Sequence, residues 1–120
     1  MHRFILAALV AAFVLPAFPA FADFGAIAYD TKTGKKGWSW RQENPKKAEE
    51  VALSACGASE CKIVLKIGSK ACGALATTED GKGWGVSRRD NADAARLAAL
   101  NGCKKLNKGE CEVRVTDCNK

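Results

Sequence analysis

Lys70-Ala71-Cys72-Gly73-Ala74-Leu75-Ala76 is the seam at which the chain starts its pattern a second time. Gly73-Ala74-Leu75-Ala76 repeats Gly25-Ala26-Ile27-Ala28, and Gly83-Trp84-Gly85-Val86-Ser87 echoes Gly37-Trp38-Ser39-Trp40. The cysteines fall in step: Cys56, Cys61 and Cys72 correspond to Cys103, Cys111 and Cys118, offset by 47, 50 and 46 positions, differences that short loop insertions absorb. Two copies are too few for a solenoid. The expectation is therefore one duplicated domain over residues 23–120, with repeat one at 24–71 and repeat two at 72–119, the copies closing on each other about a pseudo-two-fold axis.

Local patterning gives each repeat the order hairpin, helix, strand. Phe24 to Tyr29 alternates small and larger apolar residues, residues 30–37 carry turn chemistry, and Trp38-Ser39-Trp40 resumes the alternation, which predicts a β-hairpin with a basic tip. Asn44-Pro45 reads as a helix N-cap followed by proline at the first helical position. Ala48, Val51, Ala52, Ala55 and Cys56 then share one helical face, and Gly57 suits the stop. Cys61 to Ile67 predicts a strand with Ile63, Leu65 and Ile67 on one face and Val64 on the other. The second half repeats this with strands at Cys72–Thr78 and Trp84–Ser87, a helix capped by Asn91 or Asp90 whose inner face is Ala95, Ala98, Ala99, Gly102 and Cys103, and a last strand at Cys111–Asp117. The fold class is α+β: two ββαβ repeats in one compact, disulfide-stabilised domain. Inner helix faces built from Ala, Gly and Val imply close approach of helix to sheet, and a core too small to enclose a sizeable ligand.

Before the first repeat, Met1-His2-Arg3 is followed by an apolar run from Phe4 to Phe21 and by Ala20-Phe21-Ala22 ahead of Asp23. A basic start, an apolar middle and small residues flanking the cut predict a signal peptide over 1–22. The competing reading is an uncleaved membrane anchor of about spanning length; Pro16, Pro19 and the Ala-Phe-Ala site favour cleavage, with no stable membrane insertion afterwards. Cleavage takes away Arg3 and the only histidine, His2, and lowers the formal charge of +6 by one. The predicted location is periplasmic or secreted.

All six cysteines lie beyond the cut. An even count in a short exported chain reads as a disulfide framework. Six cysteines allow about 15 connectivities, and the sequence does not choose among them outright. A two-fold relation between the halves, with the proximity of helix end to following strand, favours Cys56 with Cys61, Cys103 with Cys111, and Cys72 with Cys118 tying the two copies together. A metal site competes poorly without histidine and without paired two-residue gaps, and no cofactor is implied.

The missing histidine excludes Ser-His-Asp and Cys-His catalysis within one mature chain, and disulfide bonding removes the thiol nucleophiles. Ser59-x-x-Lys62 formally matches a serine acyltransferase pattern, but it follows a helix and enters a strand instead of opening a helix. Gly81-x-Gly83-x-Gly85 lies between strands and is no nucleotide fingerprint. Paired carboxylates at Glu49-Glu50, Glu79-Asp80 and Asp90 with Asp93 have plain roles at helix starts and turns. An enzyme is thus not the expected answer.

Charge points elsewhere. Lys32, Lys35, Lys36, Arg41, Lys46 and Lys47 are opposed in their stretch only by Glu43, and Arg88-Arg89 sits at the corresponding place in the second half. The plain reading is a solvated face; the functional one is an electropositive surface that steers an acidic partner. Nucleic acid is not the expected partner of an exported protein, despite the charge and nearby aromatics. Trp38 and Trp84, read as matching positions, are expected in the core, whereas Phe24, Tyr29 and Trp40 are candidates for exposure, Trp40 beside Arg41 having the composition of an interface anchor.

Taken together, Phe24-Gly25-Ala26-Ile27-Ala28-Tyr29, the helix ending in Ala52-Leu53-Ser54-Ala55-Cys56-Gly57, Ala71-Cys72-Gly73-Ala74-Leu75-Ala76, Gly83-Trp84-Gly85 and the closing Cys118-Asn119 resemble the family known as domain of unknown function 4189. The resemblance covers essentially all of residues 23–120. It implies a small exported bacterial protein without an agreed activity. Some members are similar to immunity proteins against envelope-acting effectors and others are linked to host interaction, and it carries over no catalytic residues. The leading expectation is an exported binding module that occludes or sequesters a protein partner in the envelope or outside the cell, as an immunity or inhibitor protein does. Its contacts would be Tyr29, Lys35, Lys36, Trp40, Arg41, Arg88 and Arg89. The alternatives are a small carboxylate-dependent envelope hydrolase and a structural or stress-linked envelope protein binding anionic polymer. Oligomeric state is left open.

Overall fold

The computed structural model describes residues 23–106 and 109–119; the signal peptide expected over 1–22 lies outside them. The elements run β1 (Phe24–Tyr29), β2 (Lys36–Gln42), α1 (Pro45–Cys56), β3 (Lys62–Ile67), β4 (Cys72–Thr78), β5 (Trp84–Arg89), α2 (Ala92–Leu106) and β6 (Cys111–Cys118). They form an α+β structure with two antiparallel three-stranded sheets, ordered β2-β1-β3 and β5-β4-β6.

The helices start and stop where local chemistry dictates. Asn44 accepts the Lys47 amide at 2.8 Å, Pro45 occupies the first turn, and Gly57 ends α1 in the left-handed region at φ 69°. For α2 the cap is Asn91, whose Oδ1 accepts the Ala94 amide at 2.8 Å.

Strand alternation sorts the core into three zones. Ala26 and Ala28 of β1 meet Ala48, Ala52 and Cys56 of α1. Ala74 and Ala76 of β4 meet Ala95, Ala99 and Cys103 of α2. The opposite faces of the two sheets pack on each other through Ile27, Tyr29, Ile67, Leu75 and Val115. The layer order is therefore helix, sheet, sheet, helix, with both central strands covered on both faces. The helices lie on strand backbone: a Cβ added to Gly37 of β2 would land on the Cys56 amide nitrogen and the Ala52 carbonyl oxygen, and one on Gly85 of β5 on the Cys103 nitrogen and the Ala99 oxygen.

Two sequence expectations on strand phase fail here. The register of β1 with β3 shifts between Ile27 and Ala28, leaving Val64 as an extra residue. That bulge reverses the alternation within β3, so Ile63 packs with the α1 cluster while Leu65 and Ile67 join the sheet-to-sheet zone. Trp38 and Trp84 are not equivalent positions either: Trp38 pairs with Ile27, whereas Trp84 pairs with Thr77 and the residue opposite Leu75 is Val86.

The disulfides are Cys56–Cys61, Cys72–Cys118 and Cys103–Cys111. The first and third join each helix end to the strand that follows it. The second does not tie one half to the other. Cys72 and Cys118 are register partners on β4 and β6, with Cα atoms 3.9 Å apart, so the bridge closes the second sheet on itself. The halves are held instead by the apolar zone between the sheets and by two buried polar residues at its ends. Tyr29 donates its hydroxyl to the Gly81 carbonyl. Asn119 accepts the Arg41 amide at 3.0 Å and donates to the carbonyls of Ile67 and Gly68 at 3.1 and 3.0 Å.

Chain entropy ranks the bridges: replacing Cys72 and Cys118 together by Ala, which opens a separation of 46 residues, should cost roughly 4 kcal/mol in urea unfolding, against roughly 2 kcal/mol for Cys56 and Cys61 at a separation of 5. The same measurement on Gly85→Ala should give a loss of about 1–3 kcal/mol, because the methyl group forces α2 off its sheet.

Candidate functional site

The seven residues expected to bind a partner do not form one surface. Tyr29 is 2% exposed and fills the space between the sheets, its ring 5.8 Å from that of Trp84. It cannot act as an interface anchor, because alternation along β1 turns it inward with Ile27. Arg88 and Arg89 are exposed on β5, which neighbours β3, whereas Lys35, Lys36, Trp40 and Arg41 lie on or beside β2, which neighbours β6. These are opposite edges of the stack.

The β2 edge gains a residue that the sequence reading assigned to the core. Trp38 is 45% exposed. It shares a strand face with Lys36 and Trp40, and β6 approaches β2 where Arg41 Nη2 lies 3.8 Å from Asp117 Oδ1. Trp40 is half-buried against the inter-sheet zone. Arg41 sits at φ 56°, at a register shift between β1 and β2, its amide held by buried Asn119. The result is a fixed patch in which an exposed indole and a half-buried one are flanked by Lys35, Lys36 and Arg41. An edge position two residues from an equally apolar core position leaves no mark in composition, and β2 is an edge strand.

Carboxylates elsewhere serve turns. Asp30 is buried and its Oδ1 accepts the amides of Lys32 and Thr33 at 2.9 and 3.3 Å, bonds that hold its carboxyl below the ordinary value. Asp80 is pulled down likewise by the Thr78 hydroxyl at 2.6 Å and the Lys82 amide at 3.0 Å. Asp80 lies with Glu79 and Glu110 around an open hollow of about 630 Å³. A carboxyl depressed by turn hydrogen bonds is the reverse of what a general acid needs. Among the described residues no group of three or more His, Cys, Asp or Glu side chains is placed to hold a metal ion, and no helix is long and apolar enough to cross a membrane.

With this geometry in view, the sequence as a whole matches a known family over residues 24–118, described as "Domain of unknown function (DUF4189)". The chain belongs to the DUF4189 family. It is 39% identical over 91 residues to "Uncharacterized protein Rv1813c" of Mycobacterium tuberculosis, an alignment covering 74% of this chain and 61% of that protein. It is 38% identical over 63 residues to "Protein Rv1269c" of the same organism, covering 52% and 48%. The chain thus spans about three-fifths of the length of the first of these relatives. Among solved structures it is similar to the "NMR structure of Rv1813c from Mycobacterium tuberculosis", with a TM-score of 0.60 and 32% identity over 88% of this chain and 81% of that one. Neither the DUF4189 match nor the site geometry supplies a positive sign of catalysis, and the three disulfides agree with an extracytoplasmic location.

Tyr29 is the single tyrosine of the chain and reports on the joint between the sheets. Burial first, then the Asp80 carboxylate, raises its hydroxyl above the usual 10.0, with Arg114 opposing. Its stabilising contribution is fully present below pH 10.0 and is lost as pH climbs through the higher folded-state value. A tyrosinate absorbance titration of the native protein should show its midpoint above the one measured in denaturant, with unfolding free energy falling over the same alkaline interval.

Proposed function

We propose that the protein is an exported binding module, periplasmic or secreted, that engages an acidic protein partner through the β2 edge and acts by occluding it, as an immunity or inhibitor protein of an envelope-acting effector would. The observation that carries this reading is the exposure of Trp38 on the β2 face that also carries Lys36 and half-buried Trp40, with Lys35 and Arg41 exposed just before and just after that run. A rigid indole buries a large area on contact at small entropic cost, and surrounding cations speed encounter with an acidic surface. Helix-to-sheet packing of alanine on glycine leaves little interior for a substrate, which favours a surface role over a catalytic one.

The reading includes duplication of one ββαβ unit. It draws support from the matching strand orders, from the pairs Ala28–Gly37 and Ala76–Gly85 beneath the two helices, and from bulges at Val64 and Arg114 in the last strand of each half.

Cross-linked capture with the oxidised protein from envelope and culture fractions should recover a stoichiometric acidic protein partner. Trp38→Ala should weaken its binding by about thirtyfold or more, the loss typical of a central aromatic anchor. Lys35→Glu with Arg41→Glu should slow association and flatten its salt dependence. Affinity untouched by Trp38→Ala, or recovery of salt-sensitive anionic polymer alone, would sink the reading.

A further inference from the structure

Four strands end the two sheets: β2 and β3 in the first, β5 and β6 in the second. Three of them are interrupted, β2 near Arg41, β3 at Val64 and β6 at Arg114. Such bulges twist an edge and prevent another chain from pairing along it. β5 carries none. It pairs with β4 through six consecutive partners from Cys72–Arg89 to Thr77–Trp84, and its outer side has no strand partner among the described residues.

Charge guards this edge instead. Arg88 and Arg89 are exposed, and neither forms an ion pair among the described residues. Each guanidinium makes one bond to backbone, Arg88 Nη1 to the Lys66 carbonyl at 2.8 Å and Arg89 Nη1 to the Arg88 carbonyl at 2.7 Å, and both side chains are exposed. Lys66 adds a third cation, partly offset by Glu49 at 3.5 Å. These side chains border a hollow of about 420 Å³ that Leu65 and Ala98 also line. At the other end of the strand, Trp84, Gly85, Val86, Gly102 and Leu106, the last 80% exposed, line a mostly apolar hollow of about 380 Å³ with Lys82 at its border.

We propose that β5 is a strand-addition edge for an extended segment of another protein, apolar at one end and acidic at the other. Backbone pairing runs along Trp84–Arg89, apolar side chains enter the hollow at Trp84, Val86 and Leu106, and carboxylates meet Arg88, Arg89 and Lys66. A second copy of this chain does not supply that complement, since β5 carries no carboxylate from Trp84 to Arg89 and would bring two further arginines to the pair. The surface lies on the opposite edge from Trp38 and does not depend on the function proposed for that patch.

The test titrates the disulfide-bonded protein with a synthetic peptide of about eight residues, glutamate in its first half and valine and threonine in its second, so that antiparallel pairing, as in the rest of this sheet, sets carboxylates beside Arg88 and Arg89 and the apolar half beside Trp84. A second peptide is identical but N-methylated at alternate amides. Amide exchange in Trp84–Arg89 should slow on adding the first peptide, and N-methylation, which leaves charge and side chains in place, should weaken binding by about tenfold or more. Arg88→Glu with Arg89→Glu should cause a loss of similar size and favour a lysine-ended peptide, while Trp38→Ala should change nothing. Equal binding of the N-methylated peptide, or protection appearing along Lys36–Gln42 in place of β5, would overturn the proposal. The peptide comparison needs no variant and so decides the matter even if the double arginine substitution fails to fold.

Discussion

Every residue of β4 from Cys72 to Thr78 is buried, and the rest of the structure follows from what one strand must do when both of its faces are covered. Toward α2 it presents Ala74 and Ala76, small enough for the helix to lie on the Gly85 backbone of the neighbouring strand. Toward the other sheet it presents Leu75, which meets Ile27, Ile67 and Val115. β1 solves the same problem with Ala26 and Ala28 on one face and Ile27 and Tyr29 on the other. Alanine faces allow close approach but remove little apolar area from water, so each helix gains less from packing than a leucine face would supply. The short bridges fall where this shortage is felt: Cys56–Cys61 and Cys103–Cys111 pin the end of each helix to its own sheet.

Thin layers also decide where function can reside. With the interior filled mainly by Ala, Ile, Leu, Val, Cys and one Tyr, two buried polar residues, Tyr29 and Asn119, bond across from one half to the other. Tyr29 reaches across to the 79–83 turn at one end of β1, and at the other end Asn119 joins the β2 bulge to the end of β3 and the link into β4. Asn119 fixes Arg41 in its left-handed conformation, so a residue at the far end of the sequence sets the shape of the β2 edge. The proposed recognition is thereby placed on edges and helix exteriors.

How much of this is written in the sequence depends on the range of the interaction. Asn44-Pro45, Asn91 and Gly57 mark helix ends because caps are made within four residues. The spacing of Ala48, Ala52 and Cys56 identifies an inner helix face, and helix-end cysteines close to the next strand suggest the short bridges that the structure contains. Phase and edge position are not local. The bulge at Val64 turns Ile63 to the opposite face from Leu65, and nothing in Lys62-Ile63-Val64-Leu65 announces it. Trp38 and Tyr29 exchange roles for the same kind of reason: each has an apolar neighbour two residues away, and strand position, β2 at the edge and β1 in the middle of the sheet, goes with an indole in solvent and a buried phenol. Cys72 looks like the end of the first half when cysteines are counted, yet it opens β4, which is why its bridge closes a sheet and does not join the halves.

The two cationic edges share a sign and differ in everything that acts at short range. Long-range attraction follows net charge and draws an acidic surface toward either. On contact, β2 is interrupted at Arg41 and its exposed feature is Trp38, so it can be recognised only through side chains that fill or cover a partner's pocket. β5 keeps an unbroken register and offers backbone as well as arginine. Bulges at three of four edges hinder strand pairing there, and β5, which has none, carries the exposed Arg88 and Arg89. In the proposed strand addition these arginines favour a chain that carries carboxylates at that end, which a second β5 edge does not.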